Sequence, residues 1–140
     1  MGNKYIYSIM MKIKRILLKL SGETLLGSHE SGIDFSILGN LADQVLAVKK
    51  AGYEVAVVLG AGNIWRFRDT KDSGIDRVSS DYMGMLATIM NSVALMSALE
   101  HRGGVVRVCS AIDIPMMAES YINRRATRHM EKGRIVICAG

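Results

Sequence analysis

The sequence predicts an α/β fold with a mostly parallel sheet, and three observations carry that prediction. Residues 55–59, Val-Ala-Val-Val-Leu, are an unbroken aliphatic run of strand length, suited to burial on both faces. Behind Asp34, a good helix N-cap, Leu38, Leu41, Val45 and Val48 recur at helical spacing as far as Ala51. Gly52 then stands where a helix C-terminal glycine belongs. Residues 14–20, Lys-Arg-Ile-Leu-Leu-Lys-Leu, read as an earlier strand. Strand, helix and strand in that order make a βαβ unit with a right-handed parallel crossover.

The remaining elements follow the same alternation. Residues 67–80 are polar and read as a mobile segment, with Lys71, Asp72, Ser73 and Gly74 marking its turn. Residues 83–99 form the most apolar helix, and Met83, Leu86, Met90, Val93 and Leu99 among them cover more than one face. That helix is therefore central or shared with a partner subunit. Its methionines suit packing better than a cofactor box. A third strand is expected over 105–109, a helix over 119–132 with Ile122, Ala126 and Met130 inward, and a fourth strand over 134–138. Arg124, Arg125, Arg128 and His129 then make a basic helix face. Nucleic-acid binding there would need aromatic partners, and only Tyr121 is near, so no nucleic acid is expected.

Composition bounds the classes. With 140 residues, 49% hydrophobic and 22% charged, the chain is one domain with a substantial core and no disordered polymer. A net charge of +5 suits anionic partners without choosing among them. Cys109 and Cys138 sit in apolar runs and read as buried small hydrophobes in a reducing, cytoplasmic compartment. No apolar run is read as reaching membrane-spanning length, and no signal-peptide core is present, so no membrane partner is expected. Residues 1–13 hold no clear period and read as an N-terminal extension, with Met10-Met11 marking a working start for a domain over 14–140.

Two strand ends run into glycine turns. Leu59 leads into Gly60-Ala61-Gly62-Asn63, with Arg66 close behind. Leu20 leads into Ser21-Gly22-Glu23. Glycine turns at the carboxyl ends of parallel strands place backbone N–H groups where open α/β sheets bind ligands, and a nearby cation favours a phosphate. The same glycines also serve a plain tight turn. Lys19 reads either as a snorkelling charge or as a phosphate neutraliser. Asp81 reads either as an acidic residue near a helix start or as a carboxylate for sugar hydroxyls.

Collected in order, these stretches resemble the amino-terminal portion of the bacterial uridylate (UMP) kinases, of the amino-acid-kinase fold. The matching segments are Lys-Arg-Ile-Leu-Leu-Lys-Leu-Ser-Gly-Glu, Gly-Asn-Ile-Trp-Arg, Asp-Arg-Val-Ser-Ser-Asp-Tyr-Met-Gly-Met-Leu-Ala-Thr-Ile-Met-Asn and Gly-Arg-Ile-Val-Ile. Asp-Tyr-Met-Gly-Met-Leu-Ala-Thr separates this group from aspartate, glutamate and carbamate kinases. The resemblance implies a three-layer αβα sandwich and phosphoryl transfer from ATP to UMP, with Mg²⁺ bridging phosphates. It implies that Lys19, Ser21, Gly22, Gly62 and Arg66 bind ATP phosphates, Lys19 and Arg66 as the catalytic pair. It implies that Ala61 and Asp81 meet UMP, and that the protein is a homo-oligomer, a homohexamer in the family. No metal-ligating residue is assigned within this chain.

Two departures are expected to matter. The family turn is Gly-Gly-Gly-Asn, and here Ala61 takes the middle place, where a positive φ would cost about 1 kcal/mol. Phe67 replaces the glycine after Arg66. Family members also continue beyond Gly140 into a Thr-Gly-Asn-Pro segment and later aspartates. The expectation is therefore an amino-terminal, UMP-binding part of the domain with its carboxyl half missing. The alternative function is a catalytically inactive nucleotide-binding or assembly module.

Overall fold

The computed structural model describes residues 13–70 and 73–140. The expected extension, apart from Ile13, and the turn residues Lys71 and Asp72 lie outside the described residues. Five parallel strands, β1 (Arg15–Leu20), β2 (Glu54–Leu59), β3 (Val106–Ser110), β4 (Glu119–Ser120) and β5 (Ile135–Ala139), form one sheet in the order β1-β2-β5-β3-β4. Helices α1 (Phe35–Lys50) and α2 (Arg77–Glu100) cover one face, and α3 (Asn123–Glu131) covers part of the other. The molecule is thus the three-layer αβα sandwich that the resemblance implies, with the parallel sheet that the sequence predicts.

Strand periodicity divides the core. Val55, Val57 and Leu59 of β2 join Val106, Val108, Ile135 and Ile137 against Leu38, Ala42 and Val45 of α1 and Leu95 and Leu99 of α2. The alternate residues Ala56, Cys109, Val136 and Cys138 meet Ala126 and Met130 of α3. Strands buried on both faces need continuous aliphatic runs, which is why β2 and β5 were readable. The capping of α1 is as expected, with Asp34 accepting from the N–H groups of Ser36 and Ile37 at 2.9 and 3.1 Å. Gly52 takes a left-handed φ of 95° just past its end.

Several expectations are corrected. Among the described residues β1 lies at the edge of the sheet, and its residues alternate between exposed and half-buried because α3 does not reach over it. Leu17 is 63% exposed as a result. Helix α2 starts at Arg77, inside the segment read as mobile, because Asp76 caps it by accepting from Ser79 N–H at 3.0 Å. The carboxyl of Asp76 lies below its ordinary pKa, held there by the hydroxyl and backbone N–H of Ser79.

Helix α2 is also long and apolar enough, by length and composition, to cross a membrane, contrary to the sequence reading. Residues 82–99 contain no charge. It packs instead against α1, β2, β3 and β5, and it buries Asn91 and Ser92 completely, as a core helix does. Glu119 and Ser120 are strand, not helix, since they pair with Cys109 and Ser110. α3 therefore begins at Asn123, with Ile122 as a half-exposed cap and not a core residue. His129 leaves the expected basic face as well. It is buried, bonded through Nε2 to Glu119 at 3.0 Å and through Nδ1 to Arg134 at 2.8 Å.

Candidate functional site

β1 and β2 are neighbours in register, Leu20 opposite Leu59, so both glycine turns leave the same edge of the sheet side by side. Gly60 N–H donates to Leu20 C=O at 2.9 Å and closes the ladder. The next residues then touch directly. A β-carbon on Gly22 would lie 2.5 Å from the Gly60 carbonyl oxygen and 2.6 Å from Asn63 Oδ1, so no side chain fits there. Neither Gly60 nor Gly62 has a left-handed φ; a β-carbon would come within 3.0 Å of Gly22 N at the first and of Glu23 Cγ at the second, so close approach of the two turns, and not turn geometry, favours glycine here.

Each turn has local chemistry that shapes it. Ser21 caps a short 3-10 turn, Gly22–Leu25, by accepting from Glu23 N–H at 3.3 Å, while Thr24 Oγ1 donates to Ser21 C=O at 2.7 Å. In the second turn the Ala61 carbonyl accepts from both Ile64 and Trp65 N–H at 2.9 Å. Among the described residues, the N–H groups of Gly22, Ala61, Gly62 and Asn63 donate to no protein acceptor. Free N–H groups on abutting turns are the arrangement that receives phosphate oxygens.

Arg66 is fixed between the two turns. Its Nε donates to Gly62 C=O, and its Nη2 lies 3.1 Å from Glu23 Oε1. A guanidinium has five N–H donors in a planar fork, so most remain for a ligand. The sequence reading did not single out Glu23. Its position as the third residue after the first strand, with an arginine four residues after the second turn's Gly62, was the available signal. Lys19 lies exposed on the same face of β1 as Arg15 and Leu17, and it has no ion-pair partner among the described residues.

Asp81 is not at the sheet edge itself. It lies in the second turn of α2, paired with Arg77 Nε at 2.9 and 3.1 Å. Its neighbour Ser80 is buried and accepts from Trp65 Nε1 at 2.9 Å, which ties this part of α2 to the turn bearing Arg66. Phe67, in the place of the family glycine, starts a 3-10 turn, Phe67–Thr70, and stacks under the Arg77 guanidinium at 4.8 Å. The structure thus brings Lys19, Ser21, Gly22, Ala61, Gly62 and Arg66 to one edge and tethers Asp81 to it through Trp65.

Two cavities lie near this edge of the sheet. One of about 150 Å³, lined by Val58, Leu59, Thr88, Cys138, Ala139 and Gly140, opens beside the turns. A larger one of about 460 Å³ lies on the α3 side of the sheet among Leu17, Val58, Ala126, Met130 and Val136. Its walls are mostly aliphatic and none of the free turn N–H groups line it, so size alone does not mark the site. Among the described residues no three His, Cys, Asp or Glu side chains converge as a metal cage.

The chain is 51% identical over 128 residues to a uridylate kinase of Zymomonas mobilis, covering 91% of this chain and 53% of that protein. It is 52% identical over 126 residues to a uridylate kinase of Methylococcus capsulatus, covering 90% and 53%. Among solved structures, the UMP kinase of Bacillus anthracis superposes with a TM-score of 0.86 at 38% identity, over 90% of this chain and 52% of that one. The UMP kinase of Ureaplasma parvum gives 0.85 at 38% identity, over 93% and 55%. The chain spans about half the length of the curated relatives it matches. The amino acid kinase family model matches residues 14–140, and the chain belongs to that family.

Proposed function

We propose that the chain binds UMP and ATP and takes part in phosphoryl transfer between them, giving UDP and ADP in the cytoplasm. The observation that carries this reading is the contact of two glycine turns on adjacent parallel strands, with Arg66 fixed between them. In the reaction a UMP phosphate oxygen attacks the γ-phosphorus of ATP, a new P–O bond forms, and the bond to the β,γ-bridging oxygen breaks. Positioning and charge neutralisation supply most of the catalysis.

In this reading Lys19 offsets charge on the transferred group, and the Ser21–Gly22 turn receives ATP phosphate oxygens. The free N–H of Gly62 and the Arg66 fork hold the phosphoryl between donor and acceptor. Ala61 borders the UMP phosphate, and Asp81 exchanges Arg77 for the ribose hydroxyls. Mg²⁺ binds nucleotide phosphates with few protein ligands. The described residues offer no cage for it, and no step of this scheme passes through it.

A homo-oligomer belongs to the same reading. Val78, Tyr82, Leu86 and Met90 recur every fourth residue on the outer side of α2, each between 48% and 63% exposed. A continuous apolar stripe of that kind suits a second copy of the chain.

The test is a coupled ADP-release assay on the purified chain with UMP and ATP, beside Lys19→Ala. Turnover that disappears in the variant supports the kinase. UMP binding without turnover supports the second reading, a nucleotide-binding module. Turnover unchanged in Lys19→Ala contradicts the charge-neutralising role of Lys19.

A further inference from the structure

Asn63 and Asn91 are 2% and 0% exposed, and phosphoryl transfer as outlined uses neither side chain. Their side-chain amides face each other and exchange hydrogen bonds, Asn63 Nδ2 to Asn91 Oδ1 at 2.9 Å and Asn91 Nδ2 to Asn63 Oδ1 at 2.7 Å. The remaining N–H of Asn91 goes to the Gly60 carbonyl at 2.8 Å. That of Asn63 goes to the Gly32 carbonyl at 2.9 Å, and Gly32 N–H returns to the Asn63 carbonyl at 2.8 Å. All four amide N–H donors are therefore satisfied, two within the pair and two on loop carbonyls. Because each amide also satisfies a loop carbonyl, the pair ties α2 to the loops and does not serve the helix core alone.

The carbonyl that Asn91 holds belongs to the Gly60–Ala61 peptide. In a trans peptide the C=O and the N–H point to opposite sides of one plane. Holding the Gly60 oxygen inward therefore sets the Ala61 N–H outward, at the sheet edge. The pair also fixes α2. Asn91 and Ser80 tether the helix to the same turn at two points, 11 residues apart, or about 16 Å along its axis. Asp81 follows Ser80 directly, so two tethers set both its height and its rotation about the helix.

We propose that Asn63 and Asn91 are positioning residues that preset the Gly60–Ala61 peptide and lock α2 to it, so that the phosphate turn and Asp81 form one preformed site for a nucleoside monophosphate. This rests on the proposed function. A preformed site gains affinity for the whole nucleotide over its phosphate alone, because both ends bind without further ordering.

The experiment compares UMP and inorganic phosphate by calorimetry on the native chain, Asn91→Asp and Asn91→Ala, with circular dichroism fixing the folded fraction. Asn91→Asp keeps the shape but removes both donors, and Asn91→Ala does so without adding charge. The expected result is a loss of UMP affinity of tenfold or more with a smaller loss for phosphate, so that the ratio of the two affinities falls at least threefold. A merely structural role lowers both by the same factor, and an unchanged ratio overturns the proposal. If one variant does not fold, the other decides. A native chain that binds neither ligand overturns the proposed function itself and this inference with it, which is a different outcome from binding with an unchanged ratio.

Discussion

Beneath the glycine turn, two neutral amides saturate one another and grip the carbonyls of Gly60 and Gly32. Beneath α3, His129 sits between Glu119 and Arg134, and Glu119 also lies 3.5 Å from Arg107. The first cluster is sealed from water and carries no charge. The second is ionic, and its Glu119 is about one-third exposed. A buried neutral network fixes backbone orientation at any pH, whereas a half-exposed ionic one anchors an element only while its groups keep their charge. The site edge rests on the first kind, and the covering helix on the second.

The largest effect should come from breaking the neutral pair. Asn91→Leu leaves the Gly60 oxygen, Asn63 Oδ1 and an Asn63 N–H without partners, at roughly 1–3 kcal/mol for each buried group. A net loss of about 3 kcal/mol is expected in urea unfolding. Glu119→Gln should cost less than about 1 kcal/mol, as for other solvent-accessible ion pairs. Equal losses would erase the distinction.

Acid should separate the two regions next. Hydrogen bonding from His129 holds Glu119 below its usual pKa, and Lys14 and Arg15 do the same for Glu54 at the start of β2. A carboxyl depressed in the folded state binds fewer protons there than in the unfolded chain. Its contribution is fully present above the ordinary carboxylate range, near about 4, and is lost as pH falls through the lower folded values. Stability should therefore decline below about pH 4, and Glu119→Gln should flatten that decline. The single tryptophan, Trp65, reports the turn, so its emission should hold until global unfolding. An early change at Trp65 would show that the turn depends on the ionic groups.

The two sides also differ in what each leaves exposed. α2 carries the outer stripe of Val78, Tyr82, Leu86 and Met90. Sedimentation should find self-association that Leu86→Glu reduces, and a purely monomeric native chain at high micromolar concentration would contradict it. Under α3, burial pushes the Cys109 thiol up to about 11. It should resist a thiol reagent at pH 8 until the chain unfolds, and prompt labelling would show that the α3 side opens locally. The smallest effect concerns Ala61. Removing the Ala61 methyl beside the proposed UMP phosphate, in Ala61→Gly, should tighten UMP by no more than about 1 kcal/mol, and equal affinities would show that the turn accepts a β-carbon.

Legibility followed the physics of each element. β2 and α1 were readable because a doubly buried strand and a capped amphipathic helix leave strong periods, with Asp34 and Gly52 marking the helix ends. The start of α2 was hidden because Arg77, Ser79, Ser80 and Asp81 make its first turns polar, and only the cap at Asp76 signals it. The two residues of β4 are too few for any period. The exposure of β1 follows from edge position, which a local run of apolar residues does not encode. At the site, the glycines and Arg66 were legible as turn chemistry. Asn91 was not, because a buried asparagine reads like any polar helix residue until its partners across the fold are known.

The central claim is that the two abutting turns and Arg66 hold a nucleotide phosphate. Calorimetric titration of the chain with UMP, beside uridine and beside Arg66→Ala, tests it most directly. The account predicts saturable UMP binding, no comparable binding of uridine, and a loss of at least about tenfold in the variant, as expected for a charge-assisted bidentate contact. UMP bound no better than uridine, or bound equally by native chain and variant, would contradict it.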